Sequence, residues 1–478
     1  MDLSLRTENL IGGAWESSDS TIEVLNPATG EPIAAVANAS VGDCLRAVEA
    51  AHRSFDAWRN VAPRVRGEIL RRAFELMMAD HERLATIITL EMGKVIGDSR
   101  AEVAYAAEFF RWFSEEAVRI DGDYRRAPGG ANWLMVSRQP VGPALLATPW
   151  NFPAAMATRK IGPALAAGCT VVLKPAHETP LTALAIAEIL GEAGVPDGVV
   201  NVVVTDRPGP AVEAMLDSGR VRKLSFTGST PVGSLLLAQA AKRVINCSME
   251  LGGNAPLIVF DDADLDVAVD GAMLAKMRNG GAACTAANRF YVHERIHDAF
   301  RDRFVARISA LKLGDGLAAD STLGPLMSAA QQQRVSKLVD GAVSRGAKVL
   351  CGGKATTSPA YGYEATVLGE VDPRDPVLRE EIFGPVAPII RFGDTDDVVA
   401  MANDVDHGLV SYVFSANVAR AMAVAERLET GMVGMNRGIV SDPAAPFGGV
   451  KASGLGREGA HEGLLAFLET KYVAGNWA

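Results

Sequence analysis

The sequence predicts an α/β fold built on parallel sheets, and three observations carry that expectation. Short apolar strands alternate with helix-length segments over 170–242, the alternation resumes near Ala255 and runs to about 440, and three long amphipathic stretches precede both blocks. Repeated strand, helix, strand units of this kind make a parallel sheet with helices on its faces. At 478 residues the chain exceeds what one hydrophobic core usually serves, so two or three domains are expected. Up to about Ser40 no period is sustained, and that opening reads as irregular. Segments 41–58, 64–91 and 97–119 then carry Ala, Leu, Glu and Arg at helical spacing. Strands follow at 170–173, 199–203 and 223–226, separated by helices at 180–194, 208–217 and 231–242. A strand at 255–260 opens the second block, and two strand-like pieces, 131–139 and 468–475, lie outside both. The expected division is therefore 1–125 with 148–250, then 251–440, and a projecting arm from 126–147 and 460–478. Exposed strands leave backbone donors and acceptors unpaired, which favours completion by another subunit.

Composition narrows the partners. Apolar residues make up 48% and charged residues 22%, an ordinary globular profile. The formal charge of −10 argues against a polyanion, because binding a phosphate backbone relies on an excess of lysine and arginine, so no nucleic acid is expected. The cysteines, at 44, 169, 247, 284 and 351, are odd in number with no C-x-x-C, which fits a reducing compartment. Met1–Arg6 shows no basic region leading into an apolar core, and no apolar run approaches the ~18 residues of a membrane helix. A cytoplasmic protein that does not enter the membrane is expected.

Three short strings carry chemistry: Thr148-Pro149-Trp150-Asn151-Phe152-Pro153, Met249-Glu250-Leu251-Gly252-Gly253-Asn254 and Asn279-Gly280-Gly281-Ala282-Ala283-Cys284. Each residue has a plain alternative. A lone cysteine is usually a small buried hydrophobe. Asn151 beside Pro149 suits a turn that caps its own backbone, and Glu250 suits an exposed strand end. Taken together they outline a nucleophile, an oxyanion donor and a base. A thiolate adds readily to a carbonyl, and the thiohemiacetal can expel hydride as it collapses to a thioester, so one nucleophile splits a hard step in two. An unperturbed thiol has a pKa near ~8.5, so a useful thiolate fraction at neutral pH needs help from its surroundings.

These strings, in this order, resemble the aldehyde dehydrogenase superfamily, and the resemblance runs from Asn26-Pro27-Ala28-Thr29-Gly30 to Tyr472-Val473. It implies a Rossmann-type cofactor domain over 1–125 and 148–250, an α/β catalytic domain over 251–440, and an arm that joins subunits into a homodimer or homotetramer. It also implies that Cys284 attacks the aldehyde, that the Asn151 amide and the Cys284 N–H hold the oxyanion, and that Glu250 activates the water that hydrolyses the thioester.

The cofactor expectation rests on Phe226-Thr227-Gly228-Ser229-Thr230-Pro231-Val232-Gly233, which follows a strand and opens a helix. N–H groups and the dipole of a helix N-terminus receive a pyrophosphate. The G-x-x-x-x-G spacing of Gly228 and Gly233 departs from the usual G-x-G-x-x-G fingerprint; the resemblance supplies the variant and puts Ser229 on the phosphate. It further places Thr148, Pro149 and Trp150 beside the cofactor, Lys174 on the adenosine ribose, and Glu381 and Phe383 on the nicotinamide ribose and ring. Where NAD-preferring relatives often carry a glutamate for the ribose 2′-hydroxyl, this chain has His177. An imidazole does not repel a 2′-phosphate, so NAD or NADP is expected, with NADP favoured.

The substrate expectation rests on two arginines flanking the chemistry, Arg159 and Arg278, with Ser441 and Phe447 downstream. The planar guanidinium fork suits a carboxylate. The arginines and Ser441 match the carboxylate-binding set of succinate-semialdehyde dehydrogenases, which implies a small aldehyde with its own carboxylate. The plain alternative is that both arginines make structural ion pairs. Ala282-Ala283 stand where relatives commonly have Gln-Thr, and Ala286 stands where some carry a second cysteine. Other classes stay open at this point: a broader aldehyde dehydrogenase acting on glutarate semialdehyde or neutral aldehydes, a cysteine-dependent esterase, or a noncatalytic binding protein. His293-Glu294-Arg295-Ile296-His297 satisfies the H-E-x-x-H pattern of zinc peptidases. A strand reading for 289–292 leaves only His297 on a helix, so no metal is expected there.

Overall fold

The computed structural model describes residues 3–477; the expected bounds at 1 and 478, and the first two residues of the Met1–Arg6 reading, fall on Met1, Asp2 and Ala478, outside the described residues. The opening expected as irregular holds four strands, β1 (Asn9–Ile11), β2 (Ala14–Glu16), β3 (Thr21–Leu25) and β4 (Pro32–Ala37). At three to six residues each they are too short for an alternating pattern to stand out. α1 (Val41–Arg59) begins at a capping box between Ser40 and Asp43. The helix expected over 64–91 is two, α2 (Pro63–Ala79) and α3 (His81–Met92), because Asp80, at φ −98° and ψ 18°, breaks the path while the apolar spacing carries on. α4 (Ile96–Glu116) follows.

Next come β5 (Asp123–Arg126), β6 (Asn132–Pro140), β7 (Ala144–Ala147), α5 (Pro153–Ala167), β8 (Val171–Lys174), α6 (Leu181–Ala193), β9 (Val200–Val202), α7 (Pro208–Asp217), β10 (Lys223–Thr227), α8 (Thr230–Ala241) and β11 (Asn246–Glu250). The second block contains β12 (Ala255–Val259), α9 (Leu265–Met277), β13 (Ala287–His293), α10 (His297–Ser309), α11 (Ala329–Ser344), β14 (Lys348–Cys351), β15 (Thr366–Gly369), β16 (Val386–Phe392), α12 (Val398–Asn403), β17 (His407–Gly408), β18 (Val410–Phe414), α13 (Val418–Arg427) and β19 (Met432–Met435). The chain closes with β20 (Val450–Lys451), β21 (Gly454–Leu455), α14 (Ala460–Leu465) and β22 (Leu468–Asn476).

Eight strands form one sheet in the order β2-β1-β9-β8-β7-β10-β11-β21. Its five central strands are parallel, with antiparallel β1 and β21 next to them on either side. Seven more form a second sheet, β14-β15-β16-β13-β12-β18-β19, parallel except for β14. Ala144–Ala147, expected inside the arm segment 126–147, lies instead at the centre of the first sheet with all four residues buried. A short, wholly apolar run is what a strand covered on both faces requires. The arm proper is the antiparallel sheet β22-β6-β5, in register from Leu468 opposite Pro140 to Asn476 opposite Asn132. From β7 the chain first builds outward through β8 and β9 and then returns to the other side with β10 and β11. Ligands of such sheets bind beyond the carboxyl ends at this reversal, where Ala147, Lys174, Thr227 and Glu250 end their strands.

Candidate active site

Cys284 lies in the loop between α9 and β13. The chain leaves α9 through one tight turn, Arg278–Gly281, in which Asn279, Gly280 and Gly281 take φ values of 57°, 59° and 77°. A Cβ on Gly281 would lie 2.3 Å from the Gly384 carbonyl, so glycine answers both the positive φ and the close approach. The turn aims Asn279 back at the segment after β7: its Nδ2 donates to the carbonyls of Asn151 (2.8 Å) and Ala282 (2.9 Å). Asn151 Nδ2 donates to the same Ala282 carbonyl at 2.9 Å. Gly253 brings in the third string, for a Cβ there would lie 2.2 Å from the Cys284 carbonyl. Asn151, Glu250 and Cys284 are thus gathered into one place from segments up to 133 residues apart. Asn151 Nδ2 keeps a second hydrogen, and the Cys284 N–H donates to no described protein group, so two donors stay unspent around the sulfur.

Electrostatics here favour neutral forms at rest. Burial pushes the Cys284 thiol up to about 12, with Arg159 and Arg278 pulling it down and Glu381 and Glu250 adding to the rise. Glu250 is 3% exposed, which removes the reading of an exposed strand end, and neither carboxylate oxygen has a hydrogen-bond partner. Burial, then the charge of Glu458, holds Glu250 well above the usual carboxylate range, against the pull of Lys160, Arg159 and Arg457. Glu458 bonds Lys160 at 2.5 Å, and Lys160 also donates to Ser225 at 2.9 Å.

Arg159 is 2% exposed, and its guanidinium carbon lies 4.1 Å from the Phe447 ring centroid, so these two expected substrate residues meet. Its Nη2 donates to Tyr105 at 2.6 Å, its Nε has no partner, and its ion-pair contact with Glu458 is long, at 3.7 Å. Arg278 stacks on Phe152 at 5.3 Å and makes no ion pair among the described residues. Arg159 thus keeps one long ion pair, and Arg278 makes none among the described residues. Ser441 is half-buried between β19 and β20, and no contact ties its hydroxyl to either arginine.

A cavity of about 300 Å³ opens beside Cys284, lined by Pro149, Trp150, Asn151, Gly228, Ser229, Glu381 and Phe383 among others. The α8 N-terminus points into this region with Ser229 at the cap position making no side-chain capping bond and Pro231 in the first turn, leaving N–H groups for an anion. Gly233 packs α8 against Leu251, where a Cβ would meet the leucine methyl at 2.4 Å. Trp150 meets Phe383 edge-on at 5.3 Å. Glu381 accepts from the Gly253 N–H at 3.1 Å, and burial raises it to about 7, opposed by that N–H, Arg334 and Lys276. Thr148 is buried behind the cavity, its N–H on the Lys174 carbonyl at 3.2 Å. Lys174 donates to Pro175 at 2.8 Å, and burial lowers it to about 8. His177 is half-buried and contacts Glu178 at 3.4 Å. A diphosphate on the helix terminus and a flat ring between Trp150, Phe383 and Cys284 fit these surroundings.

Sequence reasoning missed the groups that hold the site up. Lys94 donates to Glu102 (2.5 Å) and to the Asn151 carbonyl (2.8 Å), while Glu102 accepts from the N–H groups of Ala154 (2.9 Å) and Ala155 (3.2 Å) at the start of α5. The available signal was Glu91-Met92-Gly93-Lys94, two charges closing an otherwise apolar helix end. His293 ends β13 and bonds Asp394 at 3.0 Å, whereas His297 opens α10, so the H-E-x-x-H pair does not share a helix.

Comparison with known proteins agrees with this geometry. Residues 15–473 match the profile described as the aldehyde dehydrogenase family. A succinate-semialdehyde dehydrogenase of Paenarthrobacter nicotinovorans is 51% identical over 441 residues, 92% of this chain and 98% of that protein. A glutarate-semialdehyde dehydrogenase of Pseudomonas putida is 48% identical over 470 residues, 98% of this chain and 97% of that protein. The crystal structure of an E. coli NADP-dependent enzyme superposes with a TM-score of 0.97 at 46% identity, covering 99% of this chain and 98% of that one.

Proposed function

We propose that this chain, which belongs to the aldehyde dehydrogenase family, oxidises succinate semialdehyde to succinate with NADP or NAD, NADP being preferred. The observation that carries the substrate reading is Arg159: a buried guanidinium near Cys284 that has one neutral hydrogen bond, an unpartnered Nε and a carboxylate held off at 3.7 Å. Buried charges are ordinarily paired, and a substrate carboxylate is the missing partner. Arg159 and Arg278 hold that end, Phe447 walls the guanidinium, and Ser441 adds its hydroxyl once the substrate is seated. Cys284 attacks the carbonyl carbon, and the Asn151 amide with the Cys284 N–H take the oxyanion, a contribution of about 3 kcal/mol for one well-aimed donor. Lys174, His177, Ser229 and the α8 terminus between Gly228 and Gly233 would hold the dinucleotide, with Glu381 and Phe383 toward its nicotinamide and Thr148, Pro149 and Trp150 alongside; when bound it would supply the hydride acceptor. Glu250 then takes a proton from the water that opens the Cys284 thioester.

Arg159→Ala and Arg278→Ala are each expected to lower the ratio of kcat/KM for succinate semialdehyde to that for butanal by about 10- to 100-fold, the value of one charged hydrogen bond. An unchanged ratio in both overturns the substrate assignment. The P. putida relative supports a second reading, glutarate semialdehyde on the same anchor; a kcat/KM panel over the two acids and neutral aldehydes, with each cofactor, ranks them. For the cofactor, His177→Glu is expected to move the NADP-to-NAD ratio of kcat/KM toward NAD by ~10-fold or more, since a carboxylate repels a 2′-phosphate; no movement counts against the NADP preference. Among the described residues no helix is long and apolar enough to cross a membrane. The open edges of β22 and β5 support assembly as a homodimer or homotetramer, and a cytoplasmic location fits the unpaired cysteines.

A further inference from the structure

We infer that Tyr105 is a specificity-determining residue: its phenol fixes the fork of Arg159 and donates a hydrogen bond of its own to the substrate carboxylate. This rests on the semialdehyde reading above. Arg159 Nη2 donates to the Tyr105 oxygen at 2.6 Å, which spends a lone pair of the phenol and leaves its O–H free. That hydrogen has no acceptor among the described residues. Glu458 does not serve: its Oε1 takes Lys160 at 2.5 Å, and its Oε2 accepts no hydrogen bond. The ring itself is fixed edge-on to Phe109 at 5.0 Å, and the guanidinium carbon lies 5.2 Å from the Phe109 centroid and 4.1 Å from that of Phe447. Phe109 and Phe447 pack on the guanidinium and offer it no acceptor, Arg159 Nε is buried without a partner, and the O–H of half-buried Tyr105 donates to no described group. A ligand with a carboxylate at this end and a carbonyl at Cys284 satisfies both. A neutral aldehyde leaves them unmade, and a site built to bond a polar group discriminates strongly against a ligand that lacks it.

Tyr105→Phe keeps the ring and removes the oxygen. The ratio of kcat/KM for succinate semialdehyde to that for butanal is expected to fall about tenfold, chiefly through KM for the acid. Tyr105→Leu, a second variant should the first not fold, must lower the same ratio at least as far. An unmoved ratio, or an equal fall for both aldehydes, overturns the inference, since a purely structural role would lower both rates together. Arg159→Ala and Arg278→Ala measured alongside separate the two failures: if they lower the ratio and Tyr105→Phe does not, only the role of Tyr105 is lost, whereas if both leave the ratio intact the substrate reading itself is wrong.

Discussion

Cys284→Ser is expected to lower kcat for succinate semialdehyde by about a million-fold, the scale seen when a nucleophile is removed from a preorganised site. The pocket already pushes the thiol up to about 12, by burial first and then by the charges of Glu381 and Glu250. A serine hydroxyl is a far weaker acid than a thiol, so the same surroundings leave it without a base able to ionise it. An oxygen ester would also surrender its acyl group to water less readily than a thioester. Near-ultraviolet absorbance of reduced nicotinamide measures the rate, and matching thermal unfolding of the two chains verifies that the fold is kept. Native-like turnover by the serine chain would remove the covalent route, and with it the reading of Asn151 and Glu250 as its servants.

The parts of this site legible in the sequence are those that local strings carry. Asn151, Glu250 and Cys284 each sit beside prolines or glycines whose spacing is set by how closely backbone must pass backbone, as at Gly253 against the Cys284 carbonyl. The strands and helices over 170–260 were legible because each is a short apolar run with a clear stop. The N-terminal strands were not, since at three to six residues each they are too short for a period to stand out. Placement of β7 was not either: Ala144–Ala147 abuts the arm in sequence, and only pairing with β8 and β10 assigns it to the central sheet. Most of all, the supporting charges were hidden. Lys94 meets the Asn151 carbonyl 57 residues away, and Lys160 meets Glu458 at a separation of 298. Such pairs follow from the packing of whole elements, and nothing near either residue announces its partner. Tyr105 is hidden for the same reason, being one of several aromatics on α4 until Arg159 arrives beside it.

Glu250→Gln is expected to leave the first turnover and stop the second. Hydride departure does not need the carboxylate, so mixing enzyme, cofactor and succinate semialdehyde should give a burst of reduced nicotinamide near one per site. Steady-state turnover should then run about a thousand-fold slower, within the range by which a positioned general base accelerates proton transfer. The pH profile carries the sign. A base must be deprotonated to act, and burial together with the Glu458 charge holds Glu250 well above the usual carboxylate range, so the native rate should climb with pH until Glu250 has lost its proton. In the glutamine chain that climbing limb disappears. Glu458→Gln tests the cause: it removes a negative neighbour while the cationic Lys160 remains, so the limb should move to lower pH. A limb that stays in place after Glu458→Gln would assign it to another group. Loss of the burst in Glu250→Gln would move Glu250 from thioester hydrolysis to activation of the Cys284 thiol, whose own proton, in a pocket that holds it up to about 12, must also find a base.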